Sequence, residues 1–342
     1  MSDERDLPVS QREHEPLLRV ENLKKYFNAG KGSGSRQASE IRAVDDVSFE
    51  VYEGETLGLV GETGCGKSTV AHTLTRLEEP TSGQAFFEQQ DIFRAGVGEL
   101  RNLRRRLQIV FQDPRGSLNP RMTIEDVLME PLVIHEPEIS RAQRHLQVVE
   151  MLERVGLPRS ALHRYSHEFS GGQRQRIGIA RALILKPKMV ILDEPLSALD
   201  VSVQAQIANL LTSLREEMGV SYILISHDLA VIRSMADRVA VMYLGRIVES
   251  SASRQLYEKP LHPYSQALLS AAPEIEAGRE FLDRRIRLPG DPPSPTDVPK
   301  GCRFRTRCWL ATTRCSEEEP RLFSRVYANH DVACHFPSVS ES

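Results

Sequence analysis

No stretch of the chain approaches the roughly 18 consecutive apolar residues that a membrane-spanning helix needs, which excludes a transmembrane helix. The opening segment, residues 1–16 (MSDERDLPVSQREHEP), lacks the apolar core of a secretory leader, so the protein is expected to be made in the cytosol and to stay there. Charge of one sign is lacking too. With 44 Lys and Arg against 47 Asp and Glu, the net charge of −3 gives no ground for broad binding to nucleic acid or to an anionic membrane. There is no internal repeat, no heptad run and no basic stripe. Cysteine is scarce, five in 342 residues, and four of the five lie after residue 300. The remaining composition, 40% hydrophobic and 27% charged, is ordinary for a soluble globular protein, and the length suits one large domain with an appendage or two domains.

What the chain does have is Gly61-Glu62-Thr63-Gly64-Cys65-Gly66-Lys67-Ser68-Thr69, directly after the apolar run Thr56 to Val60 and before a helical pattern at Val70, Ala71, Leu74 and Leu77. A strand, a glycine-rich turn and a helix form the context in which the pattern GxxxxGK[ST] cradles phosphate. The glycines let several backbone N–H groups face one anion, and the helix adds its positive N-terminal end. Lys67 is expected to reach the β- and γ-phosphates of a nucleoside triphosphate, and Ser68 to ligate Mg²⁺. Cys65 reads as a packing residue.

Leu17 to Phe27 and Ile41 to Val51 read as strands joined by a flexible Gly/Ser loop, Asn28 to Ser39. Thr81 to Ile92 carries a polar strand-turn pattern, and Leu107 to Phe111 a short buried strand. From about 114 to 185 the spacing becomes helical, with breaks expected at Pro131, Pro137 and Gly156-Leu157-Pro158. Buried strands at Met189 to Leu192 and Ser221 to Ile225 alternate with helices at Val203 to Met218 and Leu229 to Ala236. A strand pair closes around Gly245. This alternation predicts an α/β fold: a parallel sheet covered on both faces, with a helical insertion after Gln112. Beyond about Tyr257 the chain is proline-rich with little periodicity.

Asp193-Glu194 ends the Met189 to Leu192 strand. An acidic pair after a strand is usually an exposed loop. Downstream of a phosphate loop, the same pair suits a Mg²⁺-holding Asp193 and a Glu194 that polarises the attacking water. Phe169 to Arg176 (FSGGQRQR) places a serine and two glycines at a helix start, a second anion-binding terminus. One nucleotide needs only one cradle, so the second implies a nucleotide held by a partner molecule.

With these motifs the chain resembles the ATP-binding subunits of ABC transporters, whose signature is LSGGQ; Phe169 stands where that pattern has leucine. The resemblance covers about residues 17–336. It implies a P-loop ABC-type cassette over 17–256, with an antiparallel β subdomain near its N-terminus and a helical subdomain at about 114–185. Residues 1–16 are expected to form a disordered lead-in and 257–342 a small Cys-containing C-terminal region. By resemblance Gln112 is the glutamine that touches Mg²⁺, Ser197 to Asp200 the loop that crosses to the opposite subunit, and His227 the switch histidine at the γ-phosphate. Phe27 takes the place of the adenine-stacking aromatic, with Tyr26 adjacent as the other candidate. The resemblance implies a head-to-tail pair with two ATP molecules, each between one subunit's phosphate loop and the other's Ser170, Gly171, Gly172 and Gln173.

Cys302, Cys308, Cys315 and Cys334 do not follow the CxxC spacing of common zinc sites or a ferredoxin run. Four clustered cysteines in a cytosolic chain favour metal over disulfides, and thiolate-only ligation suits zinc or a [4Fe–4S] cluster, with reduced free thiols as the remaining alternative. With His262-Pro263-Tyr264 and Pro292 to Pro295, the tail resembles the C-terminal region of oligopeptide/dipeptide importer ATPases, which implies iron–sulfur. The resemblance further implies an ATP hydrolase at the cytoplasmic face of the inner membrane, peripheral, paired with a second ATP-binding subunit, a paralogue. It would serve two integral-membrane permease subunits and, indirectly, an extracytoplasmic substrate-binding protein, with no nucleic acid. Nickel or another small solute as cargo is the alternative, and a soluble ABC ATPase uncoupled from transport a more distant one.

Overall fold

The strands β3 (Thr56–Val60), β7 (Met189–Asp193) and β8 (Ser221–Ser226) are buried along their whole length. Strands without a polar face need cover on both sides, which a parallel sheet flanked by helices supplies. In the computed structural model, which describes residues 15–28, 40–197, 199–271 and 286–337, β8 lies between β3 and β7 and parallel to both. β6 (Leu107–Val110) continues the parallel pairing beyond β7, and β9 (Arg238–Tyr243) beyond β3. Antiparallel β10 (Arg246–Ala252), β12 (Asp331–Val332) and β11 (Phe323–Ser324) complete an eight-stranded sheet ordered β11-β12-β10-β9-β3-β8-β7-β6.

Side chains alternate across a strand, so neighbouring residues of β7 and β8 enter different cores. Met189, Ile191, Ile223 and Ile225 face a second, antiparallel sheet of β2 (Glu40–Val51), β1 (Leu18–Asn28), β4 (Ser82–Phe87) and β5 (Gln90–Asp91), packing with Leu18, Val44 and Phe87. Val190, Leu192, Tyr222 and Leu224 face the other way and join the core of the helical segment. The antiparallel subdomain, the mostly parallel sheet and the helical insertion expected from the sequence are all present.

The helical segment holds helices Ile124–His135, Arg141–Arg154 and Gly171–Leu183. Thr123 and Ser140 cap the first two, accepting from the N–H groups of Asp126 (3.2 Å) and Gln143 (3.3 Å). Pro137 and Gly156-Leu157-Pro158 fall between helices as expected, but Pro131 lies inside Ile124–His135. Proline removes one helical N–H; burial of Ile124, Val127, Leu128 and Leu132 on one side carries the helix through.

Helix Val97–Arg106 was not legible, because it buries Leu103 alone and is otherwise largely charged. Glu99 accepts the Gly96 N–H at 2.8 Å at its start, and three arginines close it, each favourable to the helix dipole. Helix Ser253–Glu258 closes the cassette, and the tail beyond it, expected to be irregular, carries helices Pro263–Ser270 and Thr313–Glu317. Its β12 pairs with β10, Glu249 opposite Val332, so the tail extends the sheet of the cassette. The Gly/Ser loop, apart from Asn28, and residues 1–14 lie outside the described residues. No helix among the described residues is long and apolar enough to cross a membrane.

Parallel pairing brings one end of four strands together. Val60 pairs with Ser226, Ile225 with Asp193, and Leu192 with Val110. Gly61, His227, Glu194 and Gln112 follow those residues at the same carboxyl edge, where open α/β sheets place their ligands.

Candidate active site

Two glycines of the phosphate loop are required by close approach. Gly61 has φ +154° and a Cβ there would meet the Met242 carbonyl oxygen at 2.2 Å; Gly66, at φ +110°, would meet that of Ala43 at 2.0 Å. The loop is thereby pressed onto β9 and β2. Lys67 opens helix Lys67–Leu74, is nearly buried, and donates from Nζ to the carbonyls of Gly61 (2.8 Å) and Glu62 (3.1 Å). Burial pushes the Cys65 thiol pKa up, opposed by the nearby Lys67 ammonium. A buried protonated thiol is a poor nucleophile, which fits a packing role.

The carboxylates sit across from the loop. Ser68 Oγ donates to Asp193 Oδ1 at 2.9 Å, joining the loop helix to the end of β7. Burial raises the Asp193 pKa, opposed by that hydrogen bond. Glu194 has φ +44°, a left-handed conformation that costs a non-glycine residue about 1–3 kcal/mol and persists only where its surroundings hold it. They do: its N–H donates to the Ile225 carbonyl (3.0 Å), and its carbonyl accepts from Ser197 Oγ (3.1 Å). Its carboxylate accepts from Gln112 Nε2 at 2.9 Å and lies 3.3 Å from His227 Nδ1. Glu194 is 9% exposed whereas the His227 side chain is 52% exposed, so the imidazole is the more open of the two. Gln112, Glu194 and His227, which belong to three separate segments of sequence, thus share one polar cluster. His72, unremarked in the sequence, adds a ring nitrogen 3.9 Å from Asp193 Oδ2; its place one turn beyond Ser68 was the available signal.

The two aromatics of β1 differ. The Tyr26 hydroxyl donates to Asp45, and burial, then Asp45, push its pKa up to about 12. The Arg42 guanidinium lies 5.7 Å from its ring, whereas Phe27 has the Lys25 ammonium 4.6 Å from its ring and no hydroxyl to engage.

Ser170 caps helix Gly171–Leu183: its Oγ accepts from the Gln173 N–H at 3.3 Å, and Gln173 Oε1 accepts from the Ser170 N–H at 3.0 Å. Gly172 lies close to the helix that follows, since a Cβ there would meet Val203 Cγ1 at 2.5 Å and displace that side chain. Among the described residues no hydrogen bond or ion pair joins Ser170, Gly171, Gly172, Gln173 or Asp200 to the phosphate loop. Ala198 lies outside the described residues.

In the tail, Cys302, Cys308, Cys315 and Cys334 are all free. Burial, chiefly, pushes the Cys302 thiol up to about 11 and the Cys334 thiol up to about 12, with the other three thiols contributing to the Cys334 shift. The thiols are therefore close enough to disfavour one another's ionisation. Even so, among the described residues no three His, Cys, Asp or Glu side chains are arranged to hold a single metal ion.

A phosphate loop, a serine–aspartate pair and a glutamate ringed by glutamine and histidine, at the carboxyl edge of a parallel sheet, define a phosphate-loop ATPase. Residues 44–197 match the family "ABC transporter", and 248–315 match "Oligopeptide/dipeptide transporter, C-terminal region". The oligopeptide transport ATP-binding protein AppF of Bacillus subtilis is 50% identical over 325 residues, 95% of this chain and 98% of that protein. The oligopeptide transport ATP-binding protein OppF of Salmonella typhimurium is 47% identical, covering 93% and 95%. Among solved structures, a dimeric post-hydrolysis ATP-binding cassette bound to ADP and Pi is 28% identical over 69% of this chain and 99% of its own, with a TM-score of 0.61. CbiO1 of Clostridium perfringens, part of the transporter complex cbiONQ, is 27% identical over 72% of this chain, also at 0.61. The chain belongs to the ABC transporter family, in the group of oligopeptide/dipeptide transport ATP-binding proteins. It is an ATP hydrolase.

Proposed function

We propose that this chain drives uptake of short peptides through two integral-membrane permease subunits, from the cytoplasmic face of the inner membrane. The observation that carries the reading is the pairing of the two matched regions. The cassette holds a complete catalytic cluster, and the tail that distinguishes the peptide-transport group is built into the same sheet through β10 and β12. Cargo reaches the permease from an extracytoplasmic binding protein and never touches this chain.

Lys67 and the loop N–H groups bind the β- and γ-phosphates, and Phe27 offers adenine its ring, since Tyr26 is committed to Asp45. Ser68 Oγ and Asp193, an oxygen-only pair 2.9 Å apart, suit Mg²⁺, with Gln112 nearby. When bound, Mg²⁺ neutralises phosphate charge. Glu194 takes the proton of the attacking water, while Gln112 and His227 hold its carboxylate. The capped terminus at Ser170 to Gln173 and Asp200 lack contacts with this chain's own loop, which suits them to a nucleotide held by a second ATP-binding subunit, in a head-to-tail pair closed by ATP and opened by hydrolysis. Cells lacking this chain should lose uptake of labelled dipeptides and tripeptides while keeping uptake of free amino acids. Unchanged peptide uptake, or loss of nickel uptake alone, would remove the peptide assignment.

Cys302, Cys308, Cys315 and Cys334 form a thiol-only donor set that suits a [4Fe–4S] cluster. Zinc, which thiolates also bind, is the alternative. A bound cluster would cross-link the tail and exchange electrons. Anaerobically purified protein should contain about four iron and four sulfide per chain, lost in Cys308→Ser. Zinc alone, or no metal, would refute the cluster.

A further inference from the structure

We propose that Arg307 and Tyr264, both in the tail, are positioning residues for the phosphate loop, and that they act by gripping Glu62. All the polar groups of that one loop residue are committed. Its N–H donates to the Tyr264 hydroxyl at 2.8 Å, and its carbonyl accepts from Lys67 Nζ at 3.1 Å. Its carboxylate accepts from Arg307 Nη1 at 3.1 Å on one oxygen and 2.8 Å on the other. Two of these three partners lie some 200 residues or more further along the chain, and neither is free to move. Tyr264 is fully buried, and the Arg307 side chain is 8% exposed. The Tyr264 ring packs at 4.7 Å on Tyr243 of β9 and at 5.4 Å on Phe304, which itself meets Tyr243 edge-on at 5.2 Å. The Tyr243 hydroxyl lies beside Arg307 but outside hydrogen-bond geometry.

Arg307 does two things at once. It fixes the side chain of a residue whose carbonyl orients Lys67, and it neutralises a carboxylate that would otherwise stand uncompensated near the bound triphosphate. A cradle already held in shape loses less freedom when the nucleotide arrives, so the grip acts on affinity more than on the chemical step. It also gives the tail a task in the nucleotide cycle that needs no bound metal.

The inference rests on the phosphate loop holding ATP, and the parent protein's own ATP affinity checks that separately. The measurements are the ATP dissociation constant of the full chain, KM and kcat of the assembled transporter, and the melting temperature. Arg307→Ala should weaken ATP binding and raise KM roughly 10-fold with kcat within about twofold, and Arg307→Lys should recover most of the loss. Glu62→Gln, which keeps one acceptor for Arg307 and removes the carboxylate charge, should weaken binding less than Arg307→Ala, and the double variant should be no worse than Arg307→Ala alone, because both act on one grip. Tyr264→Phe deletes a single hydroxyl and should raise KM about 3-fold; it decides the matter alone if Arg307→Ala does not fold. Parental affinity in Arg307→Ala and Tyr264→Phe, or losses that add in the double variant, would overturn the proposal.

Discussion

Glu194→Gln is expected to lower ATP turnover by about 10²- to 10⁴-fold, the usual contribution of a positioned general base, while ATP still binds. The substitution is nearly isosteric. The amide oxygen can still accept from Gln112 Nε2, and the backbone at φ +44° remains held by Ile225 and Ser197. What is lost is the basic oxygen. Because the γ-phosphate then stays in place, the variant should accumulate in the closed paired state rather than cycle. Single-turnover hydrolysis with labelled ATP, set beside equilibrium ATP binding, separates these effects. Parental turnover in the variant would remove Glu194 from the chemical step.

The second large effect is on binding. Lys67→Ala removes the ammonium held between the carbonyls of Gly61 and Glu62. Hydrogen bonds to charged groups are worth about 1.5–3 kcal/mol, so ATP affinity should fall roughly 10- to 100-fold. The fold should survive, because the loop is held independently by Gly61 on Met242, Gly66 on Ala43 and Glu62 on the tail. Calorimetric titration with ATP reads this directly, and unchanged affinity would contradict the role given to Lys67.

The parts of the site that were legible in sequence are those whose chemistry demands a local pattern. Gly61, Gly66 and Lys67 announce themselves because a phosphate loop needs glycine at fixed offsets, and Met189 to Asp193 because a strand buried on both faces is apolar throughout. Gln112 and His227 carry no such local signature. They were reached only through the resemblance, and the parallel register shows why they meet Glu194: each follows a strand that ends at the same edge. Pro131 misled because its local effect is to break a helix, whereas the buried stripe around it was stronger. Helix Val97–Arg106 escaped because a surface helix anchored by Leu103 has almost no apolar period to detect. The grip of Arg307 and Tyr264 on Glu62 lay beyond reach for a different reason: nothing near residue 62 hints at a partner near residue 307.

The most direct measurement of the central claim is the rate of labelled dipeptide uptake in cells lacking the chain and supplied with either the parent or Glu194→Gln at equal abundance. Uptake restored by the parent and not by Glu194→Gln is the result expected of an ATPase that drives peptide import. Equal uptake with both would contradict it.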